Sequence, residues 1–382
     1  MVRNCLVSKF LLSFLFILGT FLPLKGFALE TPAKQVILVD YDTGNILFEK
    51  NADERMFPSS MSKIMTIYNV FQALKDGSLQ LKDNFRVSRK AWKKGGSKMF
   101  LRAGSRVNVE DLIRGVIVQS GNDASIVLAE GLSGSEGAFS DSLNENAKKL
   151  GMDSSNFLNA SGWPDPEHYT TARDLSKVTI ATIQNFPKYY HFYSQKTFTY
   201  AGIKQNNRNP ALYKDIGADG LKTGHTAAAG YGLAASAIRN GRRLVLILNG
   251  LKTSRQRSLE SERILDWGYR VFSNYKIFKP GQIVTHAKVW MGDKSRLGLV
   301  LDKGLVMSLR KNIIDKINIK AVFNEPVPAP ISKGDQIGKL LVSVPGKNQL
   351  EIPMYASQGV TKLGWFYRIG AAISYILWGE VG

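Results

Sequence analysis

The chain has 382 residues, of which 44% are hydrophobic and 21% are charged. This length exceeds that of one ordinary domain, so we expect two, and the ordinary composition excludes a disordered or repeat protein. The formal net charge of +20 comes without a nucleic-acid-binding motif, so an anionic lipid or acidic polymer is a better expected partner than a nucleic acid.

The first 28 residues have the pattern of a secretory signal peptide. Arg3 and Lys9 precede an uncharged run at residues 10–24, and the small residues Gly26 and Ala28 stand where a signal peptidase reads. Cleavage after Ala28 leaves 48 basic and 31 acidic residues, a net charge of +17, and no cysteine. An uncleaved anchor is the alternative, but the run is short for a ~30 Å hydrocarbon core. We predict an exported protein without disulfides.

The mature chain opens with strand patterns and a helix. Strand-like runs at residues 36–40 and 46–49 flank a turn, and a helical pattern begins after Pro58 and ends near Gly77. Ser60 is therefore expected at or near the N-terminus of this helix.

Two short motifs lie at element boundaries farther along. Ser120-Gly121-Asn122 separates two helical patterns, and Lys222-Thr223-Gly224 stands at the entrance to a predicted hairpin. The hairpin is indicated by Asn240-Gly241 between two strand-like runs, a strong short-range signal. Both motifs therefore lie at boundaries between predicted elements.

The hydrophobic pattern changes in the last third of the sequence. A helical pattern covers residues 258–272, and residues 276–356 alternate as strands do, with Pro-Gly and Lys-Gly turn formers. In the segment at residues 357–382, aromatic and basic residues mix, and no uncharged stretch exceeds eleven residues. Because a span needs ~17 to 25 such residues, this pattern favours a helix lying in the membrane surface. The alternative is a helix that packs on its own protein.

Ser60-Met61-Ser62-Lys63 is the first candidate for chemistry. Its hydroxyl and amine stand three residues apart, which on a helix places both on one face. A lysine made neutral by burial could take the proton of Ser60, and the helix dipole would favour the resulting anion. Alone the motif is weak, because a helix cap followed by a surface lysine gives the same pattern.

The other two motifs follow in the order and rough spacing of active-site serine penicilloyl enzymes. Longer phrases surround them, at residues 119–124 and 219–226. On these residues the sequence resembles the D-alanyl-D-alanine carboxypeptidases among the low-molecular-mass penicillin-binding proteins, from about Val36 to the C-terminus.

The resemblance implies an α+β fold. Its parts would be a β-lactamase/transpeptidase-like catalytic domain with an antiparallel sheet and a helical lobe, then a small all-β domain and a C-terminal amphipathic helix. We expect the following bounds: signal peptide 1–28, catalytic domain 29–275, all-β domain 276–356 and membrane-anchoring segment 357–382.

The resemblance also implies catalytic roles. Ser60 would attack the carbonyl between two D-alanines with Lys63 as its base, and Ser120 would help to protonate the departing amine. Asn122 would bind the substrate peptide, and Lys222 would supply positive charge.

Further residues follow as substrate-binding groups. Thr223 and Gly224 belong to the same motif as Lys222, and the backbone N–H groups of Ser60 and His225 would form the oxyanion hole. Arg208 and Arg257 match by context the arginines that bind the terminal carboxylate of the substrate. The spacing between Arg208 and Lys222 differs by one residue from the spacing in the family.

The implied function is removal of the terminal D-alanine from peptidoglycan stem peptides, in cell-wall remodelling and cell shape. Partners would be a stem peptide ending in D-Ala-D-Ala, β-lactam antibiotics and the anionic membrane surface, on the periplasmic face of the cytoplasmic membrane. No cofactor or metal is expected, because the four histidines lack ligand spacing.

Three alternatives stay open. They are a DD-endopeptidase or a β-lactamase on the same scaffold, and a penicillin-binding receptor of low turnover. A β-lactamase would need a glutamate to activate water, and Glu167 is the candidate. Its surroundings at residues 165–174 look instead like the loop-to-helix phrase of the carboxypeptidases.

Overall fold

The computed structural model describes residues 29–365. The predicted signal peptide and residues 366–382 of the predicted anchor lie outside these residues. In chain order the helices are α1 Lys63–Asp76, α2 Arg89–Lys93, α3 Val109–Ile117, α4 Asn122–Ser133, α5 Glu136–Lys149, α6 Ala172–Asn185, α7 Pro187–Tyr190 and α8 Ser254–Val271.

The strands divide into two main sheets and three short ladders. They are β1 Gln35–Asp40, β2 Ile46–Lys50, β3 Asn84–Arg86, β4 Arg106–Asn108, β5 Thr197–Tyr200, β6 Ile203–Asn206, β7 Ala218–Thr226, β8 Gly230–Arg239, β9 Arg242–Leu251, β10 Phe272–Phe278, β11 Ile283–Trp290, β12 Arg296–Val300, β13 Leu305–Arg310, β14 Asn318–Phe323, β15 Val327–Pro328, β16 Gln336–Ser343 and β17 Leu350–Ala356.

The first main sheet is antiparallel with strand order β2-β1-β9-β8-β7. The hairpin between β8 and β9 turns at Asn240-Gly241, where φ is +51° and +75°, the left-handed values that a tight hairpin turn needs. Every residue of β1 is buried, because α6 and α8 both pack against it. The sheet therefore holds β7 as an edge strand beside the start of α1.

The helical lobe packs against α1 around the first hydrophobic core. Helix α1 is buried along most of its length and ends at Gly77, whose φ is +79°, as its sequence predicted. Helices α3 and α4 follow one another with Ser120 and Gly121 between them. The break therefore lies beside the start of α1, where Asn122 accepts a hydrogen bond from Lys63.

The remaining strands build an all-β region around a second hydrophobic core. Its sheet has the order β14-β16-β17-β12-β11-β15, and β10 pairs with β13 beside it. The predicted α+β class and the all-β region are confirmed. Strand β10 crosses the expected boundary at residue 275, and Val360, past the expected end at 356, is 1% exposed and pairs with Ile331. None of the helices within residues 29–365 is long and apolar enough to cross a membrane.

Candidate active site

Ser60 lies in a short 3-10 helix, Ser59–Ser62, that leads directly into α1. Ser59, the residue before Ser60, has a φ of +49°. This left-handed conformation is costly for a residue with a side chain. A Cβ on Gly224 would lie 2.8 Å from the carbonyl oxygen of Pro58. Glycine at this position therefore allows β7 to pack closely against the turn that carries Ser60.

The side chain of Lys63 is fully buried and makes three hydrogen bonds. Its Nζ donates to Ser60 Oγ at 3.0 Å, to Asn122 Oδ1 at 2.8 Å and to the Ser161 carbonyl oxygen at 2.6 Å. A neutral amine has two N–H groups and one lone pair. If Asn122 and Ser161 accept the two N–H groups, the lone pair is left facing the hydroxyl of Ser60.

Burial lowers the pKa of Lys63 to about 7, and the positive charge of Arg208 acts in the same direction. Transfer of an ammonium group from water into a low-dielectric interior favours its neutral form. A neutral lysine is therefore accessible near neutral pH, which is the state that a general base requires.

Ser120 and Asn122 lie opposite the turn, at the break between α3 and α4. Ser120 is 2% exposed with a φ of +60°, and Asn122 is the first residue of α4. The amide of Asn122 accepts from Lys63 and donates through Nδ2 to the Gly95 carbonyl oxygen at 2.9 Å. Because an amide NH₂ has two donors, its second N–H is available to a ligand.

Lys222 points into the same site from β7 and is 3% exposed. Its Nζ donates to the Thr223 carbonyl oxygen at 3.1 Å. Burial is the main cause that holds the pKa of Lys222 well below its ordinary value. The positive charges of Lys63, Arg208 and Arg257 lower it further. The mutual repulsion of these cations makes the site suited to an anion.

The two arginines differ in their surroundings. Arg257 on α8 is 8% exposed, lies over the Tyr231 ring at 5.5 Å, and has a buried Nε without a hydrogen-bond partner among the described residues. Burial lowers its pKa to about 10, so it remains a cation at neutral pH. Arg208 is exposed and donates to Ser97 Oγ at 2.5 Å. Both contribute positive charge at Lys222.

His225 and Thr223 occupy the edge strand with Gly224. The ring of His225 is exposed and lies 3.9 Å, centroid to centroid, from the ring of Tyr231, and Thr223 is 5% exposed. The His225 side chain is thus directed to an aromatic neighbour, while its backbone continues β7 past the turn of Ser60.

His168 is a residue that the sequence did not single out for this site. It is 2% exposed, and its Nδ1 accepts from the Leu158 N–H at 3.1 Å. The proton is then on Nε2, which donates to Ser62 Oγ at 2.8 Å. Burial, with the charge of Lys63 as a smaller cause, lowers the pKa of His168 to about 4. The neutral ring therefore joins the segment around Leu158 to the 3-10 helix that carries Ser60.

Comparisons with known proteins show what the chain is similar to. The family model described as D-alanyl-D-alanine carboxypeptidase matches residues 25–253, and that of the penicillin-binding protein 5 C-terminal domain matches residues 272–362. The D-alanyl-D-alanine carboxypeptidase DacC of Escherichia coli is 38% identical over 345 residues, covering 88% of this chain and 86% of that protein. DacA of the same organism is 35% identical over 355 residues, 91% of this chain and 87% of the relative.

Solved structures of penicillin-binding proteins are also similar to this chain. Penicillin-binding protein 5 from Haemophilus influenzae superposes with a TM-score of 0.79 at 35% identity, covering 88% of this chain and 99% of that one. Penicillin-binding protein D2 from Listeria monocytogenes, in its ampicillin-bound form, gives a TM-score of 0.59 at 30% identity over 63% of this chain and 99% of its own.

Proposed function

The chain belongs to the D-alanyl-D-alanine carboxypeptidase family, as a serine-type carboxypeptidase and penicillin-binding protein, and we propose that Ser60 is its nucleophile. The observation that carries this assignment is the contact of 3.0 Å between Ser60 Oγ and the buried Nζ of Lys63. It pairs a nucleophile with a base of lowered pKa, which is the arrangement that acyl transfer requires.

We propose the following reaction. Neutral Lys63 takes the proton of Ser60 as Oγ attacks the carbonyl between the two D-alanines, and the N–H groups of Ser60 and His225 hold the oxyanion. When the peptide bond breaks, a proton passes through Ser120 to the amine of the departing D-alanine. Water then attacks the ester, and the stem peptide leaves as a carboxylate while Ser60 regains its proton.

Substrate binding is assigned to the remaining groups. Arg257 and Arg208 supply positive charge for a terminal carboxylate, and a bound carboxylate would favour the charged form of Lys222 against the effect of burial. The buried Nε of Arg257, which has no hydrogen-bond partner among the described residues, supports this assignment. The hydroxyl of Thr223 can donate to the same carboxylate, and Asn122 can donate its second N–H to a substrate carbonyl. Gly224 contributes by letting β7 lie close to the turn that carries Ser60.

The purified protein should remove one D-alanine from a peptide ending in D-Ala-D-Ala, with mass spectrometry as the measurement. A covalent adduct should form transiently with this peptide and persist with a penicillin. Three results would contradict the proposal. They are accumulation of the peptide adduct without turnover, preferential cleavage of cross-linked peptides, and rapid release of hydrolysed penicillin.

We also propose how the chain is organised around this domain. The all-β domain would start at Phe272, because β10 pairs with β13, and would extend to Leu363, whose N–H donates to the Met291 carbonyl oxygen at 3.0 Å. After export and loss of residues 1–28, an amphipathic helix formed by the residues that follow would bind the periplasmic face of the cytoplasmic membrane.

Mature full-length protein is expected to sediment with anionic liposomes, whereas a chain ending at Gly364 should stay in solution and still hydrolyse a small D-Ala-D-Ala peptide. The reason is that buried aromatic and aliphatic side chains, each worth roughly 1.5 to 3 kcal/mol, should outlast the screening of basic residues by salt. Complete release of the full-length protein by high salt alone would show that no apolar face is inserted.

A further inference from the structure

A strongly basic part of the surface lies beside the active-site cleft, at residues 84–108. This stretch contains eight lysines and arginines and no acidic residue, and six of the eight are exposed. It comprises the ladder of β3 and β4, helix α2, and the loop that joins α2 to β4. We refer to it as the basic rim.

The basic residues of the rim lie close to one another. Arg86 of β3 and Arg106 of β4 occupy directly opposed positions in their ladder, and Arg89 and Lys93 stand one helical turn apart on α2. Like charges destabilise a fold slightly in either arrangement. A bound polyanion would offset this repulsion, so the arrangement suits a partner with many negative charges.

Few of these cations are neutralised within the protein. Lys90 forms an ion pair with Glu136 at 2.7 Å. Arg89, Lys93 and Arg102 have no ion-pair partner among the described residues. The charge of these three side chains is therefore available to an anion outside the protein.

Two large aromatic side chains are exposed among the basic residues. Trp92 on α2 is 45% exposed, and Phe100 in the following loop is 51% exposed. The φ of Phe100 is +65°, a conformation that is costly for a bulky side chain and occurs mostly at functional sites. Aromatic residues and arginines are both enriched in binding interfaces. The rim therefore combines charge with ring surfaces that a partner could cover.

The loop of the rim also forms part of the active-site cleft. The carbonyl oxygen of Gly95 accepts from Asn122 Nδ2 at 2.9 Å, and that of Ser97 accepts the backbone N–H of Asn122 at 2.8 Å. Lys98 Nζ donates to the Trp92 carbonyl oxygen at 2.8 Å, which joins the same loop to α2. A molecule that covers the rim therefore lies beside the mouth of the cleft.

We propose that the basic rim binds the wall polymer outside the scissile peptide, at the acidic groups of neighbouring stem peptides. Carboxylates along the polymer would pair with Arg86, Arg89 and Lys93, and the rings of Trp92 and Phe100 would pack on the apolar faces of its sugars. The polymer is favoured over an anionic membrane because the rim adjoins the cleft, which a stem peptide has to enter from the wall. The inference rests on the proposed carboxypeptidase function and adds a second contact with the same substrate.

The test uses the mature full-length protein, in mild detergent, and purified wall sacculi that retain pentapeptide stems. The variant Arg86→Gln/Arg89→Gln/Lys93→Gln should bind sacculi with a Kd roughly three- to a hundredfold higher than the wild type, because three exposed charge contacts are lost. Its kcat/KM for release of D-alanine from sacculi should fall as well. A small soluble D-Ala-D-Ala peptide should be hydrolysed at the wild-type rate, since it does not reach the rim.

A matched control removes the same charge from another surface. Lys311→Gln/Lys316→Gln/Lys320→Gln changes three exposed lysines of the all-β region and should bind sacculi as the wild type does. Phe100→Asn tests the aromatic contact, because asparagine tolerates a left-handed backbone. It should weaken binding to sacculi and leave hydrolysis of the small peptide unchanged.

Failure of this inference and failure of the proposed function give different results. If the wild-type protein releases no D-alanine from the small peptide, the carboxypeptidase proposal fails, while binding to sacculi still tests the rim. If the rim variant binds sacculi as tightly as the control variant does, the rim does not bind the wall polymer. Binding to anionic phospholipid vesicles, measured without detergent, should be equal for both variants. Its loss in the rim variant alone, with sacculus binding retained, would make the rim a membrane surface and overturn the inference.

Discussion

The Ser60→Ala variant is expected to lose all covalent labelling by a fluorescent penicillin and all measurable release of D-alanine. Ser60 Oγ is the acceptor of the Lys63 amine at 3.0 Å, and alanine removes the only atom that could form the acyl bond. The measurement is in-gel fluorescence of purified variant and wild type after prolonged exposure, with D-alanine release assayed in parallel.

The fold should survive this substitution, because Ser60 is half-buried at the cleft and its hydroxyl is not part of the hydrophobic core. Equal thermal unfolding of variant and wild type would verify this. Ser78→Ala is a matched control, an exposed serine just after α1, and should label as the wild type does. Labelling that persists in Ser60→Ala would move the nucleophile to another residue.

Local sequence signals predicted the elements of the site well and their contacts poorly. The helical pattern after Pro58 and the glycine at residue 77 correctly predicted α1, because both are properties of a short segment. The pattern did not separate the 3-10 turn that holds Ser60 from the α-helix that follows. Strand β7 packs against this turn at Gly224, a contact between segments far apart in the chain that local patterns do not show.

The same reasoning explains why His168 was missed. Its bond to Ser62 joins residues 106 apart, and no spacing or periodicity in one sequence signals such a pair. The pairing of β1 with β9 is equally distant. The break between α3 and α4 at Ser120 was correctly placed, since Gly121 and Asn122 are local features, whereas the buried contact of Asn122 with Lys63 needed the assembled fold.

The role of Arg208 in binding the substrate carboxylate stays a prediction. Its spacing from Lys222 is one residue out of step with the family, yet its positive charge is among the causes that lower the pKa of Lys222. Its guanidinium donates a hydrogen bond to Ser97 Oγ. The carbonyl oxygen of the same serine accepts the backbone N–H of Asn122.

The Lys63→Ala variant is expected to be acylated by penicillin ~10² to 10⁴ times more slowly than the wild type, the usual contribution of a general base. Unlike Ser60→Ala, it should still be labelled after long exposure, because the nucleophile remains. Second-order acylation rates from stopped or quenched reactions give the comparison. The matched control is Lys75→Ala, an exposed lysine in the last turn of the same helix, which should acylate at the wild-type rate.

The pH dependence of the wild-type protein tests the same base independently. Burial lowers the pKa of Lys63 to about 7, and only the neutral form of its amine can accept the proton of Ser60. The acylation rate should therefore fall about tenfold per pH unit below this value and level off above it, because lower pH protonates the amine. Lys63→Arg, which stays charged at all accessible pH, should lack this step. A flat wild-type profile, or wild-type acylation by Lys63→Ala, would exclude Lys63 as the base.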